Sequence, residues 1–370
     1  MTEPAPPPPL RHRLVAAGLR AVTASRADRW LAPLARGEGV ILTFHRVRPW
    51  SGGAYAPNRF LEITPDFLDA AVRAVHESGF EIIPLDAVPA RLRRLPGAPP
   101  FAVLTFDDGY RDNLEHAWPV LRRHRVPWTV YVVPGLAEGT GRLWWLELEE
   151  AVARLDRLIL SLDGREIVVP ARCPAEKRSA YATLLRLLRR GGHHGLRRTV
   201  SSLYEQVGGN PGALVRRHCA GWDEIEALAA DPNVTIGSHT LTHPVLAKVS
   251  AFEAEAEIGA SRTLIAERLG RPVRHLAYPS GGADAAGPRE FAMAERAGYV
   301  TAVTTRPGHL FPRDAARPMA LPRVSVNGHH QNAGALRGLL SGVPFLGGAV
   351  LGRTLPGAAA PGAPATGRAA

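Results

Sequence analysis

Cysteine is nearly missing from this 370-residue chain: Cys173 and Cys219 are the only two, and no Cys-x-x-Cys spacing occurs. That excludes a disulfide framework and a thiolate metal centre, and both residues read as small apolar filler. Lysine is almost as scarce. Of 45 basic residues only Lys177 and Lys248 are lysines, set against 34 acids for a formal net charge of +11. The arginines are scattered among abundant Ala, Gly and Pro, with no basic stripe and interleaved aromatics, so nucleic acid is not an expected partner. Long apolar runs are absent too. Nothing approaches the ~18–20 residues of a membrane span; Leu339 to Leu351 comes nearest and is broken by Pro344 and several glycines. Arginines at 11, 13, 20 and 26 interrupt the N-terminal stretch before it reaches signal-peptide length. The expected location is cytoplasmic, with peripheral membrane contact through a basic first helix as the alternative.

What is present is an ordinary globular composition, 45% apolar with 6% aromatic. β-rich runs alternate with helical patterns, which argues for βα units in a parallel sheet or barrel. The predicted strands are Val40–His45, Glu81–Ile83, Phe101–Phe106, Trp128–Val133, Val234–Ser238, His275–Tyr278, Thr301–Thr304 and Leu321–Val326. Thr64-Pro65 opens one helix that Gly79 closes, Ser250 with Glu253 opens a second, and Gly287-Pro288 opens a third. A Leu- and Arg-rich stretch, 136–220, breaks the alternation and reads as a helical insertion. Residues 1–36 form a basic segment with a helix, and the Ala/Pro/Gly-rich tail from 336 to 370 is expected to be disordered.

Two adjacent acids, Asp107 and Asp108, end the apolar run Phe101–Phe106 and precede Gly109. Downstream, His239 and His243 stand four residues apart after another predicted strand. A carboxylate and two imidazoles can hold a cation, and a spare carboxylate can take a proton from water. In parallel α/β barrels the active site lies at the C-terminal ends of the strands. His45, Asp107, Asp108, His239 and the turn Tyr278-Pro-Ser-Gly281 all fall there.

The segments Thr105-Phe-Asp-Asp-Gly-Tyr110 and Ser238-His-Thr-Leu-Thr-His243 closely resemble the first two motifs of polysaccharide deacetylases (carbohydrate esterase family 4), which include the chitooligosaccharide deacetylase of nodulation. The resemblance runs from about Gly39 to Gly328, through Ala277-Tyr-Pro-Ser-Gly281 and Ala302-Val-Thr-Thr-Arg-Pro-Gly308. It implies an α/β fold, a distorted (β/α) barrel of about seven strands, as a catalytic domain over 37–335. It also implies one divalent metal, zinc first with cobalt or nickel as alternatives, and an N-acetylated glycan as substrate. By motif, Asp108, His239 and His243 are the metal ligands and Asp107 is the general base. Ser280, or Tyr278 in the same turn, is the expected oxyanion or substrate residue.

Two departures stand out. Many relatives carry a late Leu-x-His motif whose histidine protonates the leaving amine; here the late strand reads Leu321-Pro-Arg-Val-Ser-Val326. His45 is the expected acid instead, as in a branch lacking that motif, with His329 and His330 as weaker candidates. Where many relatives have an arginine that orients the base, this chain has Ala277; Arg274, Arg306 or Arg323 could supply the charge. Trp144-Trp145 reads either as a sugar-stacking platform or as an anchor for the insertion. Asn113 reads as a helix-start residue without a chemical role, and His116, His124, His193 and His194 as surface residues. The expected activity is removal of N-acetyl groups from amino sugars of a polysaccharide, an oligosaccharide or a lipid-linked precursor. A deacylase or deformylase of another amide, or a non-catalytic glycan binder, are the alternatives.

Overall fold

The computed structural model describes residues 10–50, 53–93, 97–162 and 165–346. Seven parallel strands close into a barrel: β1 (Gly39–Phe44), β2 (Phe101–Phe106), β3 (Trp128–Val132), β4 (Val234–Ser238), β5 (His275–Ala277), β6 (Thr301–Pro307) and β7 (Leu321–Ser325). β1 completes the ring, pairing with β2 in register from Gly39↔Phe101 to Phe44↔Phe106 and with β7 at Leu42↔Val324. The other neighbours run β7–β6–β5–β4–β3–β2, and the short strand Glu81–Ile82 flanks the start of β2. The barrel is distorted, as the resemblance implies. β5 has only three residues and meets β4 at Leu276↔Ser238, and β6 shifts register against β7 between Val303 and Pro307.

Runs apolar on both faces suit strands buried on both sides, and alternation sorts their side chains. Val40, Leu42 and Phe44 of β1, with Ala102, Leu104 and Phe106 of β2, face outward into the helical layer. Ile41 and Val103 face inward, meeting Tyr131, Ala277, Val303 and Leu321 in an apolar plug. Further along the same inward rows come Thr43 and Thr105, then His45 and Asp107. Thr43, His45 and Asp107 border a cavity.

The helices begin where the sequence punctuation places them. The Thr64 hydroxyl accepts from the Phe67 amide (3.2 Å) to cap Pro65–Glu77, and Ser250 accepts from Glu253 (3.1 Å) to cap Ala251–Leu269. Gly270, at φ 62°, ends the latter in the left-handed conformation that favours glycine. Helix Pro65–Glu77 buries Phe67, Leu68, Ala71, Val72 and Val75 on one stripe.

The insertion is mostly helical, with Trp144–Arg154, Pro174–Arg190, His193–Glu205 and Pro211–His218. It also holds an antiparallel hairpin, Arg157–Leu162 with Arg165–Pro170, that the sequence reading missed. The available signal was Asp163-Gly164 between two β-prone runs, obscured by Leu- and Arg-rich neighbours at helical spacing. Leu148, Val152, Leu158, Leu184, Leu196 and Val200 give the insertion a core of its own, which also takes in Tyr110 and Val133 of the barrel.

At the N-terminus, helix Leu10–Ala24 packs through Leu19 against Gly338 of the helix Ala333–Leu340. That late helix corrects the expected boundary of the disordered tail. Leu336 and Leu340 are buried, so the fold continues past 336, while 347–370 lie outside the described residues. Among the described residues no helix is long and apolar enough to cross a membrane.

Candidate active site

Strict alternation would send Asp107 inward and Asp108 outward. Backbone conformation overrides it: Asp108 sits at φ 71° and Gly109 at φ 63°. A left-handed aspartate is uncommon, and such positions concentrate at functional sites. The turn brings both carboxylates to one cavity. His239 follows β4, and the loop after it contains two further left-handed residues, Thr240 (φ 64°) and His243 (φ 63°). Glu257 clamps this loop from the helix Ala251–Leu269. Its carboxylate accepts from the amides of Leu241 and Thr242, both at 2.8 Å, and from the Thr242 hydroxyl at 2.6 Å. Both imidazoles thereby reach Asp108. Nε2 of His239 lies 3.4 Å, and Nε2 of His243 3.3 Å, from Asp108 Oδ1.

The donor set fits a divalent cation. One atom from each of Asp108, His239 and His243 lies within 4.8 Å of the others. His239 Nδ1 donates to the Ala277 carbonyl (2.7 Å), which fixes the tautomer and leaves the Nε2 lone pair toward Asp108. Asp108 Oδ1 is buried with no hydrogen-bond partner, a costly state for a carboxylate that a cation would relieve. Burial acts to raise the Asp108 carboxyl; when the imidazoles are protonated, their hydrogen bonds and charge outweigh it and hold it well below the usual range, and when they are neutral their lone pairs are free for a cation shared with Asp108. Two nitrogens and one oxygen with an open position are what a catalytic zinc accepts.

Asp107 has a different environment. Its Oδ1 and Oδ2 accept from Nη1 and Nη2 of Arg323, each at 2.7 Å. Arg323 is 1% exposed, and its Nε donates to the Thr304 carbonyl at 2.9 Å. Burial favours protonation of Asp107, but Arg323 prevails and keeps the carboxyl below its ordinary value. This settles which of the three arginines lies beside Asp107. Arg323 shares the inward row of β7 with Leu321 and Ser325, whereas Arg274 pairs with Asp86 and Arg306 donates to the Ala286 carbonyl.

His45 Nε2 stands 3.9 Å from Asp107 Oδ2. Burial depresses the imidazole below its ordinary value even though Asp107 opposes the shift, so His45 rests neutral. Its backbone is tethered to the end of β2. Asn113 Nδ2 donates to the His45 carbonyl (2.7 Å), and Asp112 accepts from Arg46 Nε (2.8 Å) and the Val47 amide (2.9 Å). Asn113 thus positions His45, where the sequence reading gave it no role. The missed signal was a polar pair, Asp112-Asn113, that is buried within the Asp107–Asn113 motif.

Other expectations need correction. Tyr278 is no cavity residue: it lies on the outward row of β5 with Leu276, and its hydroxyl donates to the Met319 carbonyl (2.9 Å). Its amide donates to the Val303 carbonyl (3.2 Å), so the Tyr278 N–H is also engaged. Ser280, at φ 61°, does border the cavity. His329 and His330 follow β7 and are not among the cavity-lining residues. His193, expected at the surface, is buried. Trp144 and Trp145 pack in the insertion core and also line the cavity. The Trp145 ring lies 5.0 Å from that of His243, and its Nε1 donates to Tyr110 Oη at 2.9 Å. The cavity, about 360 Å³, therefore has a polar floor of His45, Asp107, Asp108, His239, His243 and Arg323. Phe60, Trp144, Trp145 and Leu185 form an apolar wall.

The family model for polysaccharide deacetylases matches residues 95–158 and 172–301, slightly more than half of the chain. Among solved structures, IcaB from Ammonifex degensii is similar at 18% identity and a TM-score of 0.51, over 82% of this chain and 97% of that one. The polysaccharide deacetylase BC0361 from Bacillus cereus is similar at 15% identity and a TM-score of 0.50, over 82% of this chain and 68% of that one. At these identities the structural likeness shows the fold. No curated protein matches the chain. The matched segments contain Asp107, Asp108, His239 and His243, and together with the barrel they identify the chain as a member of the polysaccharide deacetylase family, the hydrolases that remove N-acetyl groups from glycans.

Proposed function

We propose that the chain hydrolyses the N-acetyl group of an amino sugar with one divalent metal, zinc by preference, held by Asp108, His239 and His243. The observation that carries this reading is the pairing of two unlike carboxylates at one cavity. Asp108 faces two imidazoles with a buried, unpartnered oxygen, and Asp107 is held ionised by Arg323. A cation held by Asp108, His239 and His243 would supply Lewis acidity toward the attacking water and the amide carbonyl.

The chain's own residues account for the proton transfers. Asp107 accepts the proton of the attacking water as the oxygen adds to the acyl carbon. His45, neutral at rest and 3.9 Å away, takes that proton and delivers it to the sugar nitrogen as the carbon–nitrogen bond breaks. The free amine and acetic acid leave, and the acid's remaining proton passes to solvent or to the amine to give acetate. The Ser280 amide, in the turn after β5, is the candidate donor to the developing oxyanion. The Trp144 and Trp145 wall offers apolar faces to the C–H surface of a sugar. The substrate class is an N-acetylated amino sugar in a polysaccharide, an oligosaccharide or a lipid-linked precursor.

The test is acetate release from N-acetylglucosamine oligomers by metal-loaded protein, with bound metal quantified in the same sample. One metal per chain with acetate release supports the reading, and Asp108→Ala should abolish both. Metal without acetate release would redirect the search to another acyl group or amide. Protein that binds no metal would overturn the reading in favour of a glycan binder.

A further inference from the structure

The segment before the barrel has two faces of opposite character. Leu19, Ala32 and Ala35 turn inward and are buried. Outward stand Trp30, 79% exposed, Leu34, 76% exposed, and Leu31 between them. Trp30 and Leu34 belong to the successive short helices Ala27–Trp30 and Ala32–Ala35, which meet at the exposed Leu31. Exposed Arg20, Arg26 and Arg29 flank this patch, and Asp28 is the one acid between Arg13 and Arg36.

We infer that this face docks on an anionic lipid surface. An indole with neighbouring leucines suits the boundary between headgroups and acyl chains, while guanidinium groups suit anionic headgroups. Charge complementarity selects this occupant over the chain's own C-terminal sequence. Residues 347–370 carry Arg353 and Arg368 and no acid, so they share the sign of the patch.

The site also sets an orientation. The segment enters β1 at its N-terminal end, and Arg36 Nη1 donates to the Ser78 carbonyl (3.1 Å), just beyond the helix Pro65–Glu77. The cavity lies past the opposite ends of the strands, roughly 20 Å along a six-residue strand. A bilayer held at Trp30 would therefore lie toward the N-terminal ends of the strands, the end opposite the cavity.

The test is co-sedimentation of the full chain with phosphatidylcholine vesicles and with vesicles containing one quarter phosphatidylglycerol. Binding is expected only to the anionic vesicles and should weaken in 0.5 M salt. The double variant Trp30→Ser/Leu34→Ser, at exposed positions, should keep its melting temperature and bind at least tenfold more weakly. Arg26→Glu/Arg29→Glu should do the same. Equal binding of neutral vesicles, or undiminished binding by both variants, would overturn the inference. So would a protein that ignores vesicles but forms a dimer that Trp30→Ser/Leu34→Ser dissociates, since that would assign the face to a second copy.

Discussion

Ile41 and His45 stand on the same inward row of the first strand and its exit, as do Val103 and Asp107 on the second. Yet the lower pair helps to fill an apolar plug, and the upper pair borders a reactive cavity. Backbone, pairing and parity are shared between the two levels. What differs is that the lower row belongs to an apolar cluster, while the upper row meets groups delivered by loops: Asp108 through a left-handed turn, and His239 and His243 through a loop clamped by Glu257. The plug stabilises a closed barrel, and the closed barrel holds the upper residues in register. Stability and chemistry thus occupy successive layers of one interior.

Substitutions can break that division, and the largest effect is expected at Asp107. Asp107→Asn keeps the metal ligands and removes the proton acceptor, so turnover should fall by about two to four orders of magnitude with metal stoichiometry unchanged. Substantial turnover by that protein would sink the base assignment. Arg323→Met comes next. It strips the counter-charge from a buried carboxylate, and breaking such pairs costs about 3–5 kcal/mol. Arg323 now holds Asp107 below its ordinary value, so its loss raises the carboxyl and should move the acidic limb of the pH–rate profile to higher pH. An unmoved limb would show that Asp107 does not govern it.

A smaller effect is expected from the insertion. Trp145→Ala removes the ring packed on His243 and the partner of Tyr110, so metal affinity should fall by about tenfold, the lower end of what supporting residues contribute. A chelator competition titration would read this directly, and unchanged affinity would confine Trp145 to packing. Ile41→Val, in the lower layer, should cost only about 0.5–1.5 kcal/mol in denaturant unfolding while leaving metal affinity alone. A change in metal binding there would show that the layers are not separable.

Much of the site was legible because its signals are local. Asp107-Asp108-Gly109 after an apolar run, and His239 with His243 after another, need only strand ends and donor chemistry to be noticed. Parity would also have excluded Tyr278, which falls on the outward row with Leu276. Other features had weaker traces. Asn113 looked like a helix-start residue because nothing adjacent shows that it reaches across to the His45 carbonyl. The hairpin at 157–170 was hidden by helical spacing on both sides.

The sequence by itself determined the alternation of strands and helices, the caps that start them, and the identities of the acids and imidazoles. Those depend on backbone preference, side-chain period and ligand chemistry, all of which act over a few residues. Only the tertiary structure decided that Arg323 grips Asp107 from 216 residues away, that the insertion places Trp145 against His243, and that Trp30 and Leu34 remain exposed. Such contacts follow from how the barrel closes and what packs on it, because distance along the chain carries no information about distance in space once seven strands share one interior.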